Sequence, residues 1–530
     1  MGDVLLNYGH KPNRFGFCLV GALALLVSSF PVATAETEAS TVELASPPEL
    51  DEGLLFFNDG DFAEAIAALA EVQGDQQNPY WLEARSVMGR SFDALGMGQL
   101  ALDHYADVLA AGPEHEAFEQ AFNASAALSR FIEDDATFSR AVLGLSAEQL
   151  PTLERSYGLY VAGNRLFDAD LYDQSINFLA AIPRGDELFA RARLQMAKAL
   201  IMVEQRPMAL AVLQDILDND TSSLAAIPDG RSLVHLNIAR MAYGMALFDQ
   251  AADHYARVSR TSPYWGDALM ERAWAQYALW QGQDLDQALS SSLGALLTLT
   301  SPTMENLYYP EAWLLEAQIF FILCKANSGN MLIERFLARH KSLHSDLVAA
   351  LPAAATNPIG VYQTVVDHRL GKTPKTQLPA PFLNLFLTDP SFDRIEAHLE
   401  RIEREIDLVK RQRRAWAGGL DGAFIASLQS HAESVRQQRG EEIAYRLGRE
   451  AEILQQTILA TELAQLDMLT QQVNLFEAAA AGRVTPPKQK KRRWTLPDDR
   501  RVWPFEGEYW VDELGYYQVT TLSECGTIQE

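Results

Sequence analysis

Basic residues are scarce in this chain. Its 530 residues hold 44 Lys and Arg against 70 Asp and Glu, a formal net charge of −26. Such a field repels a phosphate backbone, which argues against a primary nucleic-acid binder. Cysteine is scarcer still, and three cysteines cannot make a disulfide scaffold. Glycine (32) and proline (23) are too few for a collagen-like chain, and an apolar share of 48% is too high for a disordered one. After residue 35 no uncharged apolar run reaches 18 residues, so no second membrane span is expected. Also missing are a P-loop, a GxSxG elbow, a dinucleotide fingerprint and HExxH, so no catalysis and no cofactor is expected.

What the chain has first is an export pattern. Lys11 and Arg14 precede the uncharged run Phe15–Phe30 (FGFCLVGALALLVSSF), then come Pro31 and Ala33-Thr34-Ala35. A basic segment, an apolar segment and a small-x-small site read as a secretory signal over residues 1–35, with cleavage after Ala35. An uncleaved anchor is the other reading, because the uncharged run through Ala35 is 21 residues, enough to span a bilayer. Cys18 belongs to this segment and lacks the small residues that precede a lipidated cysteine. The expected compartment is the periplasm. Residues 36–52 (ETEASTVELASPPELDE) are acidic and small, and read as a linker.

Internal repetition dominates residues 53–350. Gly53, Phe56, Gly60, Phe62, Ala65 and Leu69 have the spacing of a helix-turn-helix unit. Gly89, Ala101 and Pro113 stand 12 and 12 apart, with Phe92, Gly96, Tyr105 and Val108 between them. Gly163 and Ser175, Ala197 and Ala209, then Ala239, Ala251 and Pro263 repeat the step, and 163 to 197 and 239 to 273 are both 34 residues. NDTSSLAAIPDG is an insertion, 116–149 and 273–300 are degenerate, and 310–340 is a last unit. Small residues let two helices approach, larger ones fill the gap between layers, and Pro ends the second helix. The pattern resembles the tetratricopeptide repeat, which implies an all-α right-handed superhelix with a concave groove.

In tetratricopeptide arrays the first helix of each unit lines that groove. By this resemblance the inward residues are Arg90 and Asp93, then Tyr157, Tyr160, Asn164, Arg191, Lys198, Arg240, Tyr243, Trp274 and Tyr277. Basic and aromatic groups on an acidic array suit an extended peptide or its carboxylate. The plainer reading keeps the aromatics between helix layers and pairs the bases with local acids.

Residues 351–390 are a Pro-rich connection, with four Pro between 371 and 390. Residues 391–481 read as a long helical hairpin broken near 417–422. Its second arm carries one stripe: Phe424, Leu428, Val435, Ile443, Leu447, Ala451, Leu454 and Ile458, continuing through Leu463, Leu466, Val473 and Phe476. Packing within the chain is preferred to a coiled coil between copies. Residues 482–493 form a basic hinge in which Lys488, Lys490, Lys491, Arg492 and Arg493 either meet an anionic envelope surface or stay solvated. In the aromatic tail, 494–530, GEYWVDEL and YYQVTTLS read as a β-hairpin turning at Leu514-Gly515. The Pro310-Glu311 start of the last repeat, Cys324, and the tail residues Trp503, Phe505, Gly507, Glu508, Trp510, Asp512, Glu513, Leu514, Gly515 and Tyr517 resemble the closing segment of exported tetratricopeptide-like proteins associated with gliding-motility machinery.

Glu506, Glu508, Asp512 and Glu513 offer paired carboxylates beside stacking aromatics, but no pocket-building domain surrounds them. His340 and His344 lie one helical turn apart with no third ligand at useful spacing. Cys324 and Cys525 either pair, closing a loop of about 200 residues for roughly 5 kcal/mol, or stay as two thiols. The charge is polarised: residues 36–360 hold 44 acids and 20 bases, 361–501 hold 19 and 22, and 502–530 hold 6 acids and no base. The expected function is an exported repeat scaffold for envelope proteins or peptide segments. The alternative is an envelope glycan-binding module, or glycan-acting enzyme, that uses the tail.

Overall fold

A computed structural model of the chain describes residues 46–530 except 74–78, 133–134, 220, 284–285, 305–306, 375, 417–418, 483, 486–506, 511, 520–522, 524–526 and 529–530. The signal segment, most of the acidic linker, the lysines and arginines of the basic hinge, Trp503, Phe505, Glu506 and Cys525 lie outside the described residues.

Antiparallel helix pairs follow one another along the chain. α1 (Pro48–Asp59) lies against α2 (Phe62–Gln73), and α3 (Trp81–Ala94) against α4 (Gly98–Ala110). α5 (Phe118–Ile132) and α6 (Ala136–Val142) form a shortened unit. Next come α7 (Arg155–Asp168) with α8 (Tyr172–Ala180), and α9 (Phe189–Met202) with α10 (Arg206–Asn219). The insertion carries α11 (Thr221–Ala225). α12 (Gly230–Gly244) with α13 (Phe248–Ala256), α14 (Trp265–Gln283) with α15 (Asp286–Leu299), and α16 (Pro310–Ile322) with α17 (Ala326–Thr356) complete the array. α17 runs on through Pro352, whose missing N–H leaves one carbonyl of the helix ladder free.

A small residue on the first helix of a pair sits sixteen positions before the side chain it faces on the second. A Cβ on Gly53 would lie 2.5 Å from Leu69 Cγ, on Gly89 2.7 Å from Tyr105 Cε1, and on Gly163 2.6 Å from Leu179 Cγ. Ala197 with Leu213 and Ala239 with Tyr255 repeat the spacing, all buried. The turn between the helices repeats as well. The N–H of Asp61 donates to Phe56 O, Met97 to Phe92 O, Leu171 to Leu166 O, Gln205 to Leu200 O, Leu247 to Ala242 O and Lys325 to Phe320 O. That closure needs a left-handed residue just before the donor. Gly60 and Gly96 supply it without strain, whereas Asp170, Glu204, Ala246 and Cys324 hold φ of 60, 60, 59 and 55° with a side chain in place.

The chain then turns back. α18 (Pro358–Arg369) and α19 (Ala380–Asn384) lead into α20 (Pro390–Arg411) and α21 (Leu420–Ala480). α21 has 61 residues, about 90 Å of helix. It lies against α16, α17, α18 and α20 and reaches α4, so it spans the array from its second pair to its last. Its backbone meets that of Pro358 so closely at Gly440 that a Cβ would collide with the carbonyl. Among the described residues no helix is long and apolar enough to cross a membrane.

Two expectations are corrected. The single stripe of α21 is two stripes: Phe424 through Ile458 is buried except Val435, which is half-buried, but Leu463, Leu466, Val473 and Phe476 are exposed. The five-residue step from Ile458 to Leu463 turns the helix by about 140°, onto another face. The tail, in turn, shows no β-hairpin at Leu514-Gly515. Residues 512–515 do turn, but the flanks have no strand among the described residues; Trp510 O accepts from Glu513 and Leu514 within the turn, and Val519 bonds to α15. The Gly515 N–H donates to Thr298 Oγ1 (2.9 Å), Ser290 Oγ donates to Val519 O (2.8 Å), and a Cβ at Gly294 would strike the Tyr517 carbonyl. The one ladder among the described residues joins β1 (Val484–Thr485) to β2 (Thr527–Ile528), antiparallel.

The glycine geometry predicts two opposite outcomes. Gly163→Val overpacks the α7–α8 contact and lowers stability by about 1–3 kcal/mol. Ala246→Gly relieves a left-handed alanine and raises it by about 0.5–1 kcal/mol. Urea midpoints at unchanged m-value check both.

Candidate functional site

The residues expected to line the groove sit on the first helices of successive pairs, and most have partners inside the chain. Arg90 lies over the Phe57 ring at 4.3 Å. Tyr157 is buried and stacked on Phe138 at 5.5 Å, with the Arg130 guanidinium over it at 5.0 Å. Tyr160 packs against the main core, Asn164 is half-buried, and Arg191 donates to Ala226 O. Tyr243 meets Phe248 edge-on at 5.2 Å. Trp274, Tyr277 and Trp280 form a half-buried aromatic run, with centroids 6.0 and 5.8 Å apart.

The bases pair with acids of a neighbouring helix pair. Arg240 on α12 holds Glu271 on α14 through three hydrogen bonds of 2.6–3.0 Å, with Asp267 at 3.7 Å. Burial raises the Asp267 pKa, and Arg240 and Arg446 of α21 pull it back. Arg165 on α7 pairs with Asp135 at 3.0 Å. Lys198 keeps surface in contact with solvent, yet the surrounding helices hold its pKa below the usual lysine value, with Asp168 opposing. Arg240–Glu271 and Arg165–Asp135 thus tie one helix pair to the next.

The closure of the array is a part of the site that the sequence reading did not single out. At the far end of the helical hairpin, Trp416 is fully buried and its Nε1–H donates to Ala63 O (2.9 Å) on α2. Its ring meets Phe92 at 6.1 Å and Phe424 at 5.2 Å. Glu405 on α20 accepts the Gln99 N–H (2.8 Å) and the Leu100 N–H (3.4 Å), so it caps the amino end of α4 from 306 residues away. Burial raises its pKa from the usual 4.5 to about 7, against the pull of those two N–H donors. A carboxylate between Ile402 and Val409 on an otherwise apolar stripe was the available signal. Trp416, next to the helix break, had none.

His340 is buried against the Phe336 ring at 4.2 Å, its Nδ1 lies 2.9 Å from Phe336 O, and burial lowers its pKa to about 4. Of the carboxylates beside the tail aromatics, Glu508, Asp512 and Glu513 are described. The turn carrying the last two is held by Arg260, which donates to Asp512 O (2.8 Å), and by buried Leu514.

No protein-family model matches the chain, and no curated protein matches it. Among solved structures it is similar to the C-terminal part of a TPR repeat-containing protein from Cytophaga hutchinsonii, at 12% identity over 48% of this chain and 97% of that one, with a TM-score of 0.31. It is also similar to a structure of Naa15/Naa10 bound to HypK-THB, at 15% identity over 79% of this chain and 62% of that one, TM-score 0.30. Yeast Tom70 matches at 12% identity over 82% of this chain and 98% of that one, TM-score 0.17. The helix-pair architecture rests on the contacts described above.

Glu405 makes the closure sensitive to pH. A carboxyl whose folded pKa lies above its unfolded value stabilises fully below pH 4.5, and that contribution is lost as the pH rises through 7. Glu405→Gln is therefore expected to narrow the stability difference between pH 5 and pH 8 by about 1–3 kcal/mol. Urea unfolding at the two pH values reads this directly. An unchanged difference would show that Glu405 does not titrate in the window.

Proposed function

We propose that the chain is an exported helical-repeat scaffold of the tetratricopeptide kind, which holds protein partners in the cell envelope as part of a multi-protein machine, and that it catalyses no reaction. One observation carries the reading: the array is braced end to end by its own α20–α21 hairpin. Helix pairs stacked in this way bury only the faces between neighbours, and a brace converts them from a spring into a frame that presents its outer faces at fixed distances. The basic segment, apolar run and small-x-small site of residues 1–35 support export. The similarity of the tail to exported proteins of gliding-motility machinery extends the proposal to that kind of assembly.

Cys324 adds to the case. It is disulfide-bonded, as cysteines of exported proteins commonly are. We assign Cys525 as its partner, which staples the tail to the last repeat. Thiol titration of the denatured, unreduced mature chain is expected to find no free thiol, and two free thiols would overturn the staple.

A second reading is favoured by Trp510 and Tyr516, which stand 56% and 53% exposed on the tail turn and could stack on a sugar. Cross-linking in intact cells, followed by capture from the envelope fraction, separates the two. The scaffold reading expects specific protein partners in that fraction. Capture of peptidoglycan or polysaccharide with no protein partner would overturn it in favour of glycan binding.

A further inference from the structure

The distal third of α21 carries apolar side chains that its own fold does not use. Leu459, Leu463, Leu466, Leu469, Val473 and Phe476 are 49, 65, 61, 47, 54 and 70% exposed. They follow one another at steps of four, three, three, four and three residues, the rhythm of a coiled-coil seam. Together they leave about 600 Å² of apolar surface in solvent, the upper end of what a monomer ordinarily shows.

This face is held rigidly, because the opposite face of the same turns is anchored. Met468 is fully buried against Gly329, where a Cβ would collide with it. Gln471 Nε2 donates to Phe321 O (3.3 Å) and Gln472 Nε2 to Asn327 Oδ1 (3.0 Å), while Lys341 of α17 reaches round to Glu462 on the seam's own side at 2.5 Å. These contacts fix the rotation of the helix and aim the seam away from the array.

The charge around the seam selects its occupant. Along the seam and the turn after it, 459–477, the helix carries Glu462, Asp467 and Glu477 and no base; Lys341 of α17 engages Glu462, and Asp467 and Glu477 stand exposed. A second copy of the chain would set acids against acids in either orientation, which disfavours pairing.

We propose that the Leu459–Phe476 seam docks an amphipathic helix of another protein, apolar on its inner face and flanked by Lys or Arg, side by side as a two-stranded coil. This deepens the scaffold reading by naming the face that carries the partner, and it places that face on the brace and not in the groove.

The test uses the purified full chain and two synthetic helices of about four heptads, both with Leu at the core positions, one flanked by Lys and the other by Glu. Fluorescence anisotropy at low salt is expected to show the Lys helix binding at least about tenfold tighter, with the difference shrinking as salt is raised. Leu466→Asp with Val473→Asp should weaken it at least about tenfold while the helical melting curve stays in place. If the aspartates melt the helix, Leu463→Gln with Leu466→Gln makes the same test with helix-tolerant residues. Equal binding of the two helices, no binding, or binding unchanged in the variants overturns the proposal. So does a dimer in sedimentation that the variants dissolve, which would give the seam to a second copy. Compartment plays no part in this measurement, so a chain found outside the envelope would sink the envelope reading and leave the docking face standing.

Discussion

The structure depends on the closure between the helical hairpin and the first two helix pairs. Trp416 reaches a backbone carbonyl 353 residues earlier in the chain, and Glu405 caps α4 from 306 residues away. A stack of helix pairs has raw ends, where apolar side chains meet no further neighbour. Here Phe92 and Phe424 close around Trp416, which ties the hairpin to the second helix pair and, through Ala63, to the first. The cost is a carboxyl buried at 4% exposure, tolerated because the amino end of a helix supplies the N–H groups that water would have given.

Contacts between successive helix pairs engage the side chains expected to face a groove. A groove lined by arginine and tyrosine looks ready for a peptide while the helices are considered one at a time. In the assembled chain Arg240 is engaged by Glu271, Tyr157 stacks on Phe138, and Arg90 covers Phe57. The same side chains that suggest a ligand hold adjacent repeats in register. The acidic excess of residues 36–360 supplies the acids for those bridges, so part of the charge polarity along the chain is structural.

Much of the fold was legible because its signals are local. The twelve-residue step between small positions needs only two helices of known rise and one turn, and every contact it implies falls within about twenty residues. The helical hairpin was legible for the same reason, since its break at 417–422 interrupts an otherwise continuous helical pattern. The tail was misread because alternation over GEYWVDEL describes an extended chain with two kinds of neighbour. It does not say whether the backbone partner is a strand or, as here, the turn itself and the Arg260 side chain, with α15 taking up Gly515 and Val519 just beyond.

By itself the sequence determined the helix pairs, their small-residue contacts and the length of the closing helix. These follow from periodicity and backbone stereochemistry, which act over a few residues. Only the tertiary structure decided which face of α21 is covered. The apolar residues before and after Ile458 look alike in one dimension, and a five-residue step rotates them apart. Whether a stripe becomes core or surface depends on what lies across from it, and for α21 that is, besides the adjoining α20, α16, α17 and α18, the nearest of which ends 51 residues before α21 begins.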